Sequence, residues 1–113
     1  MVSGISSSLA ALFTFGNKLS VTAGNIANVN TDGYKKRVAT ITDNSAGLPQ
    51  VDVKASDSPG ALIQEDGVTK ETSNVDLAEE FPQMIVAQRG YEANIKALDA
   101  QNQVLKYTLD ILV

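Results

Sequence analysis

Neither cysteine nor histidine occurs anywhere in the 113 residues. Their absence removes disulfide bridges, thiolate metal sites, thiol nucleophiles and imidazole acid-base chemistry together. Positive charge is also scarce, with nine basic residues against thirteen acidic ones and a formal net charge of -4. The one basic cluster, Lys35, Lys36 and Arg37, is too small to track a phosphate backbone, so no nucleic-acid partner is expected. It reads instead as a solvated helix end that complements the helix dipole. No apolar run reaches the roughly 18 residues that a spanning helix needs, so no membrane-spanning segment is expected. The first residues, through Gly16, are interrupted by serines and have no basic residue before Lys18. That layout is not one of a cleaved secretory signal, so the chain either stays inside or leaves by a route that reads no such signal. A chain of this length holds one small domain, or two helices with a short insert.

What the chain has in quantity is apolar side chains at helical spacing. From Leu77, steps of four and three run through Phe81, Met84, Gln88, Tyr91, Ile95, Leu98, Asn102, Leu105, Leu109 and Leu112, a heptad line. Two positions on, a second line contains Val86, Gly90, Ala93, Ala97, Ala100, Val104, Tyr107 and Ile111. Between the two runs a stripe of alternating charge, from Arg89 and Glu92 to Lys106 and Asp110. One helical partner covers one line only, which predicts that the second faces another molecule. The N-terminal part repeats the pattern at Ile5, Leu9, Leu12, Gly16, Leu19, Ala23 and Ile26, predicting a helix from about Ser3 to Asn28. The fold expected is mainly α: N- and C-terminal helices paired as an antiparallel coiled coil, with a short β or extended insert between them. The division expected is 1–33 for the N-terminal helix, 34–72 for the insert and 73–113 for the C-terminal helix. The intramolecular seam is assigned to Ile5, Leu9, Leu12, Leu19 and Ile26 against Met84, Tyr91, Ile95, Leu98, Leu105 and Leu109. The second line is assigned to assembly.

The insert reads as short strands at Arg37–Thr42, Gln50–Lys54, Ala61–Gln64 and Val68–Lys70, parted by breakers at Asn44–Gly47, Ser58–Gly60 and Asp66-Gly67. At the start of the long helix, Asp76 is placed to cap and Glu79 to bond back to the cap amide. Pro82 leaves two arrangements open: one helix kinked at the proline, or a short turn to Phe81 followed by a helix that begins at Pro82.

Chemical sites find little support. Asp76, Glu79 and Glu80 are what a first helical turn favours, and Asp52, Asp57, Glu65 and Asp66 lack EF-hand spacing. No metal and no cofactor is expected. The serines have no histidine base, no glycine pattern cradles phosphate, and Tyr91 and Tyr107 read as packing. No catalytic residue and no small-molecule substrate is expected. Gln88 and Asn102 read as polar residues that fix helix register.

Two strings resemble a known family. Leu19 to Lys35, with Asn25, Ile26, Ala27, Asn28, Asn30, Thr31, Gly33 and Tyr34, resembles the N-terminal signature of the bacterial flagellar axial proteins, the rod, hook and hook-associated proteins. Ser73, Asn74, Val75 and Asp76, followed by Glu80, Arg89, Tyr91 and Asn94, is similar to their C-terminal signature. The short insert brings the chain closest to the small proximal-rod proteins (FlgC-like). The resemblance implies a structural subunit of the basal-body rod that assembles through its terminal helices into a hollow axial structure for torque transmission and export. Its implied partners are copies of itself, other rod and hook proteins and the flagellar export apparatus. Its implied place is the periplasm-spanning rod, reached without a cleaved signal peptide. A reading from another class is a soluble helical adaptor, or export-cargo regulator, in a closed complex with one partner.

Overall fold

The computed structural model describes residues 2–113; Met1, the first residue of the predicted N-terminal division, lies outside the described residues. Apolar spacing makes α1 from Val2–Ala27, and its end is set by side chains that bond their own backbone. Asn28 Nδ2 donates to the Gly24 carbonyl at 2.8 Å, Thr31 Oγ1 donates to Asn28 Oδ1 at 3.1 Å, and Gly33 turns the chain at φ +71°. Four strands follow: β1 Arg37–Asp43, β2 Pro49–Ala55, β3 Leu62–Glu65 and β4 Val68–Glu71. They form two separate antiparallel hairpins, β1 with β2 and β3 with β4. The first register pairs Arg37 with Ala55 and Asp43 with Pro49, and the second pairs Leu62 with Glu71. Both turns are chemically explained. Asn44 Oδ1 accepts from the Ala46 and Leu48 amides, while Asp66 and Gly67 both take positive φ, as the tight two-residue turn requires.

The last element, α2, runs unbroken from Leu77–Leu112 with Pro82 inside it, which decides between the two arrangements left open by sequence. Asp76 caps it by accepting from the Ala78 amide at 2.9 Å. The predicted return bond from Glu79 is not what forms; Glu79 Oε2 instead accepts from Lys36 Nζ at 2.6 Å. A charged partner outcompetes the neutral cap amide.

The helices meet along their length. Gly4 and Ser8 lie against Gln101, Phe15 against Gly90, Gly16 against Tyr91, and Asn25 against Glu80. The β1–β2 hairpin lies on α1, where Thr14 Oγ1 donates to the Pro49 carbonyl at 3.1 Å. The molecule is long and thin, 78 × 25 × 15 Å. Its interior is correspondingly sparse: among the described residues the only buried apolar side chain is Ala87, and the other buried ones are Ser8, Thr14, Thr22, Asn25 and Glu80. No helix is long and apolar enough to cross a membrane.

Candidate functional site

The two signature strings, far apart in sequence, converge on one polar junction. Asn25 is 1% exposed, and both ends of its amide are fully used. Its Nδ2 donates to the Arg37 carbonyl at 2.7 Å and to Glu80 Oε2 at 3.2 Å, and its Oδ1 accepts from the Arg37 amide at 2.9 Å and the Tyr34 hydroxyl at 3.1 Å. An Asn side chain offers two donors and two acceptor lone pairs, so nothing of it is left unmet. One residue thereby ties the end of α1, the start of β1 and the first turns of α2.

Asn74 is a second tie. Its Oδ1 accepts from the Lys36 amide at 2.6 Å, its Nδ2 donates to the Ser58 carbonyl at 2.8 Å, and its own amide donates to the Tyr34 carbonyl at 3.2 Å. Ser73 Oγ accepts from the Val75 amide at 3.1 Å, and the Gly33 amide donates to the Glu71 carbonyl at 2.8 Å. Gly60 is required here, since a Cβ at that position would collide with the Thr72 carbonyl.

Charge completes the junction. Lys35 pairs with Glu71, whose carboxyl is held below its ordinary value by that ammonium and then by the Gly60 amide. Lys36 pairs with Glu79, which raises the lysine above its ordinary value. The basic cluster is therefore not the solvated helix end expected: it lies past the turn, and two of its three members are engaged by acids, Glu71 at the end of β4 and Glu79 in the first turn of α2. Asp52 and Glu65, weighed as loop acids, pair with Lys54 and Lys70 at 3.1 and 2.9 Å. No group of three or more metal-ligating side chains occurs among the described residues.

The remaining signature residues serve the helix ends and surfaces. Ile26, Asn28 and Val75 are half-buried, whereas Ala27, Asn30, Thr31, Asp76 and Arg89 are exposed. Asn94 donates within its own helix, to the Gly90 carbonyl at 2.8 Å.

The face that α2 turns to α1 carries Glu80, Met84, Ala87, Asn94, Leu98 and Gln101, all buried or half-buried, with Tyr91 touching Gly16. Relative to the line read from sequence it is rotated by roughly 50° on the helix. Met84, Tyr91 and Leu98 are common to both lines, while Ile95 and Leu109 point outward and Leu105 sits at the edge of exposure. On α1, Ile5, Leu12, Leu19 and Ile26 are half-buried and Leu9 is exposed. Gln88 and Asn102, expected to fix register, are exposed, and Gln88 donates to Glu92 on its own helix. Polar contacts between the helices come instead from Asn25–Glu80 and Ser8–Gln101, the latter one position from Asn102. Gly90 also departs from its assignment to the outer line: a Cβ there would stand 2.5 Å from Phe15 Cε1, so it admits the α1 aromatic. Val86, Ala93, Ala97, Ala100, Val104, Tyr107 and Ile111 are exposed. Phe15, Ala87 and Gln101 were missed by sequence reading. Ala87 and Gln101 repeat at heptad distance on a line that hydropathy alone does not favour.

Comparison with known proteins matches both ends of the chain. The family described as "Flagella basal body rod protein" matches residues 5–35, and "Flagellar basal body rod FlgEFG protein C-terminal" matches residues 68–111. The flagellar basal-body rod protein FlgG of Bacillus subtilis is 33% identical over 95 residues, which are 78% of this chain and 33% of that protein. The FlgG of Buchnera aphidicola subsp. Baizongia pistaciae is 35% identical over 81 residues, 72% of this chain and 28% of that one. The flagellar hook protein FlgE of Borreliella burgdorferi is 53% identical over 36 residues, 32% of this chain and 8% of that one. The chain thus spans about a third or less of the length of these relatives. Their names cover rod and hook and do not single out the proximal rod. With both end signatures matched and folded into one junction, the chain belongs to the flagellar rod and hook axial protein family, a family of structural proteins and not of enzymes.

Proposed function

We propose that this chain is a structural subunit of the flagellar basal-body rod, and that its terminal helices, paired as an antiparallel coiled coil, assemble with copies of itself and with other rod and hook proteins into a hollow axial structure. The helix contacts support the antiparallel direction, because partners in α2 fall from Gln101 to Glu80 as partners in α1 rise from Gly4 to Asn25. On this reading residues 1–33 and 73–113 form the assembling domain, and 34–72 is an insert carried on its side. The short insert favours a proximal-rod position. The place is the periplasm-spanning rod, reached through the flagellar export apparatus without a cleaved signal.

One observation carries the reading: among the described residues only Ala87 is a fully buried apolar side chain, while the helices expose many. Phe13 is 73% exposed, Tyr107 64% and Ile111 84%. Burying a large apolar side chain is worth about 1.5–3 kcal/mol, so such surfaces on one thin molecule favour association. The exposed line from Val86 through Ala93, Ala97 and Ala100 to Ile111 is the proposed assembly face, and its alanines let a neighbouring backbone approach closely.

Sedimentation velocity across a concentration series tests this. Open-ended growth with rising concentration is expected, and Ala97→Glu should suppress it while leaving the helical circular dichroism signal unchanged. A single closed stoichiometry, unaffected by Ala97→Glu, would overturn the subunit reading in favour of an adaptor.

A further inference from the structure

Between α1, β1 and the start of α2 lies a cleft of about 570 Å³, within the roughly 300–1,000 Å³ typical of ligand-holding sites. Its apolar lining includes Val21, Val38, Ile41 and Pro82. Of the charged groups around it, Lys36 is taken by Glu79 at 2.6 Å, and the buried Glu80 carboxylate accepts from Asn25. Lys18 and Arg37 are left, since neither side chain joins an ion pair among the described residues. Lys18 is half-buried in this lining. Lys18, Lys36 and Arg37 outnumber the Glu79 and Glu80 carboxylates there, and apolar walls with that positive balance call for an apolar group that carries a carboxylate.

The far end of α2 presents such a group. Leu109, Ile111 and Leu112 are exposed there, and Asp110 stands among them as the one acid after Asp99, with no ion pair among the described residues. Within one molecule the two features cannot meet. The cleft is at the Glu80 end of α2, and Asp110 lies about 45 Å further along the helix at 1.5 Å per residue. Contact between them is therefore between copies, head to tail, and such a heterologous contact grows without closing unless its rotation happens to form a ring.

We propose that this cleft receives the Leu109–Leu112 turn of a second copy's α2, with Asp110 placed against Lys18 and Arg37. The proposal rests on the self-assembling subunit reading and names its end-to-end contact. The experiment compares growth in sedimentation of the wild-type chain, Asp110→Lys, and Asp110→Lys combined with Lys18→Glu and Arg37→Glu. Asp110→Lys sets three like charges together and should raise the concentration needed for growth by about tenfold or more. The charge-exchanged combination should restore most of that loss. Circular dichroism of each variant at low concentration should match the wild type, because Asp110 and Arg37 are exposed and the half-buried Lys18 joins no ion pair among the described residues. If the wild type grows and Asp110→Lys grows equally well, or the exchange recovers nothing, the docking proposal falls while the subunit reading stands. A wild-type chain that stays single at every concentration overturns both.

Discussion

Asn25 Nδ2 and Glu80 Oε2 stand 3.2 Å apart in the buried junction, a bond between residues 55 positions apart that joins the last turn of α1 to the first turns of α2. Around it the same amide takes both main-chain groups of Arg37, so the turn, the first strand and both helices share one anchor. The junction is polar, yet its partners are complementary, which gives it direction as well as strength.

Asn25→Ala should be among the most damaging single changes. It removes the partner of the Tyr34 hydroxyl, of both Arg37 backbone groups and of a buried carboxylate. At about 1–3 kcal/mol for each unmet buried group, partly relieved by water, a loss of about 3 kcal/mol or more is expected. Urea denaturation measures it. A double-mutant cycle with Glu80→Ala should show strong non-additivity, because the two side chains share a bond; additive losses would count against the junction as a unit.

Gly90→Ala tests the contact of the helices. Alanine is worth about 1 kcal/mol over glycine in a helix interior, so an open position would gain stability. Here the new Cβ stands 2.5 Å from the Phe15 ring, and overpacking of this kind costs about 1–3 kcal/mol. A net loss in thermal stability is expected, with recovery when Phe15→Leu is added. A more stable Gly90→Ala single variant would show that the helices slide apart freely.

How much of this was legible before the fold was known depends on which physical signal each feature leaves. The strands were readable because Asn44–Gly47 and Asp66-Gly67 are turn residues at the right places, and both turns use them as expected. The meeting of the two signatures was not, because Asn25 and Glu80 announce nothing about each other by spacing. The rotation of the α2 seam has a plainer cause. Hydropathy marks Phe81 and Ile95 for burial, but both are exposed here while Glu80, Asn94 and Gln101 face inward. A helix apolar on several sides gives periodicity no means to tell its own partner from a neighbour. Likewise the Lys35 and Lys36 pairs need Glu71 and Glu79 brought close by the fold.

Acid should loosen the edge of the junction before it unfolds the helices. Lys35 and then the Gly60 amide hold Glu71 below the ordinary carboxyl value of 4.5, so the folded chain binds that proton less tightly than the unfolded one. The contribution is complete above the unfolded value and fades as pH falls through the folded one. Protection of the Gly60 amide, its exchange relative to the intrinsic rate at the same pH, should therefore fall below about pH 4, the Asp and Glu range, while amides in the middle of α2 stay protected. Lys35→Met should shift the onset upward; an unchanged onset would mean that the pair contributes nothing in solution.

Pro82 sits inside α2, six residues past the Asp76 cap, where it has no N–H to offer the Ala78 carbonyl. A proline in a helix interior costs about 3 kcal/mol, but both residues are exposed, so water can serve the orphaned carbonyl and part of that cost is relieved. Pro82→Ala should then stabilise the isolated chain by about 1–2 kcal/mol in urea denaturation. The same ring lines the cleft beside Val21 and Ile41, and its loss removes apolar surface from the place where a neighbour is proposed to dock. A more stable chain that associates less readily is the expected pair of results. Gains in both stability and growth would mean that the proline is merely tolerated and that the cleft needs no wall there.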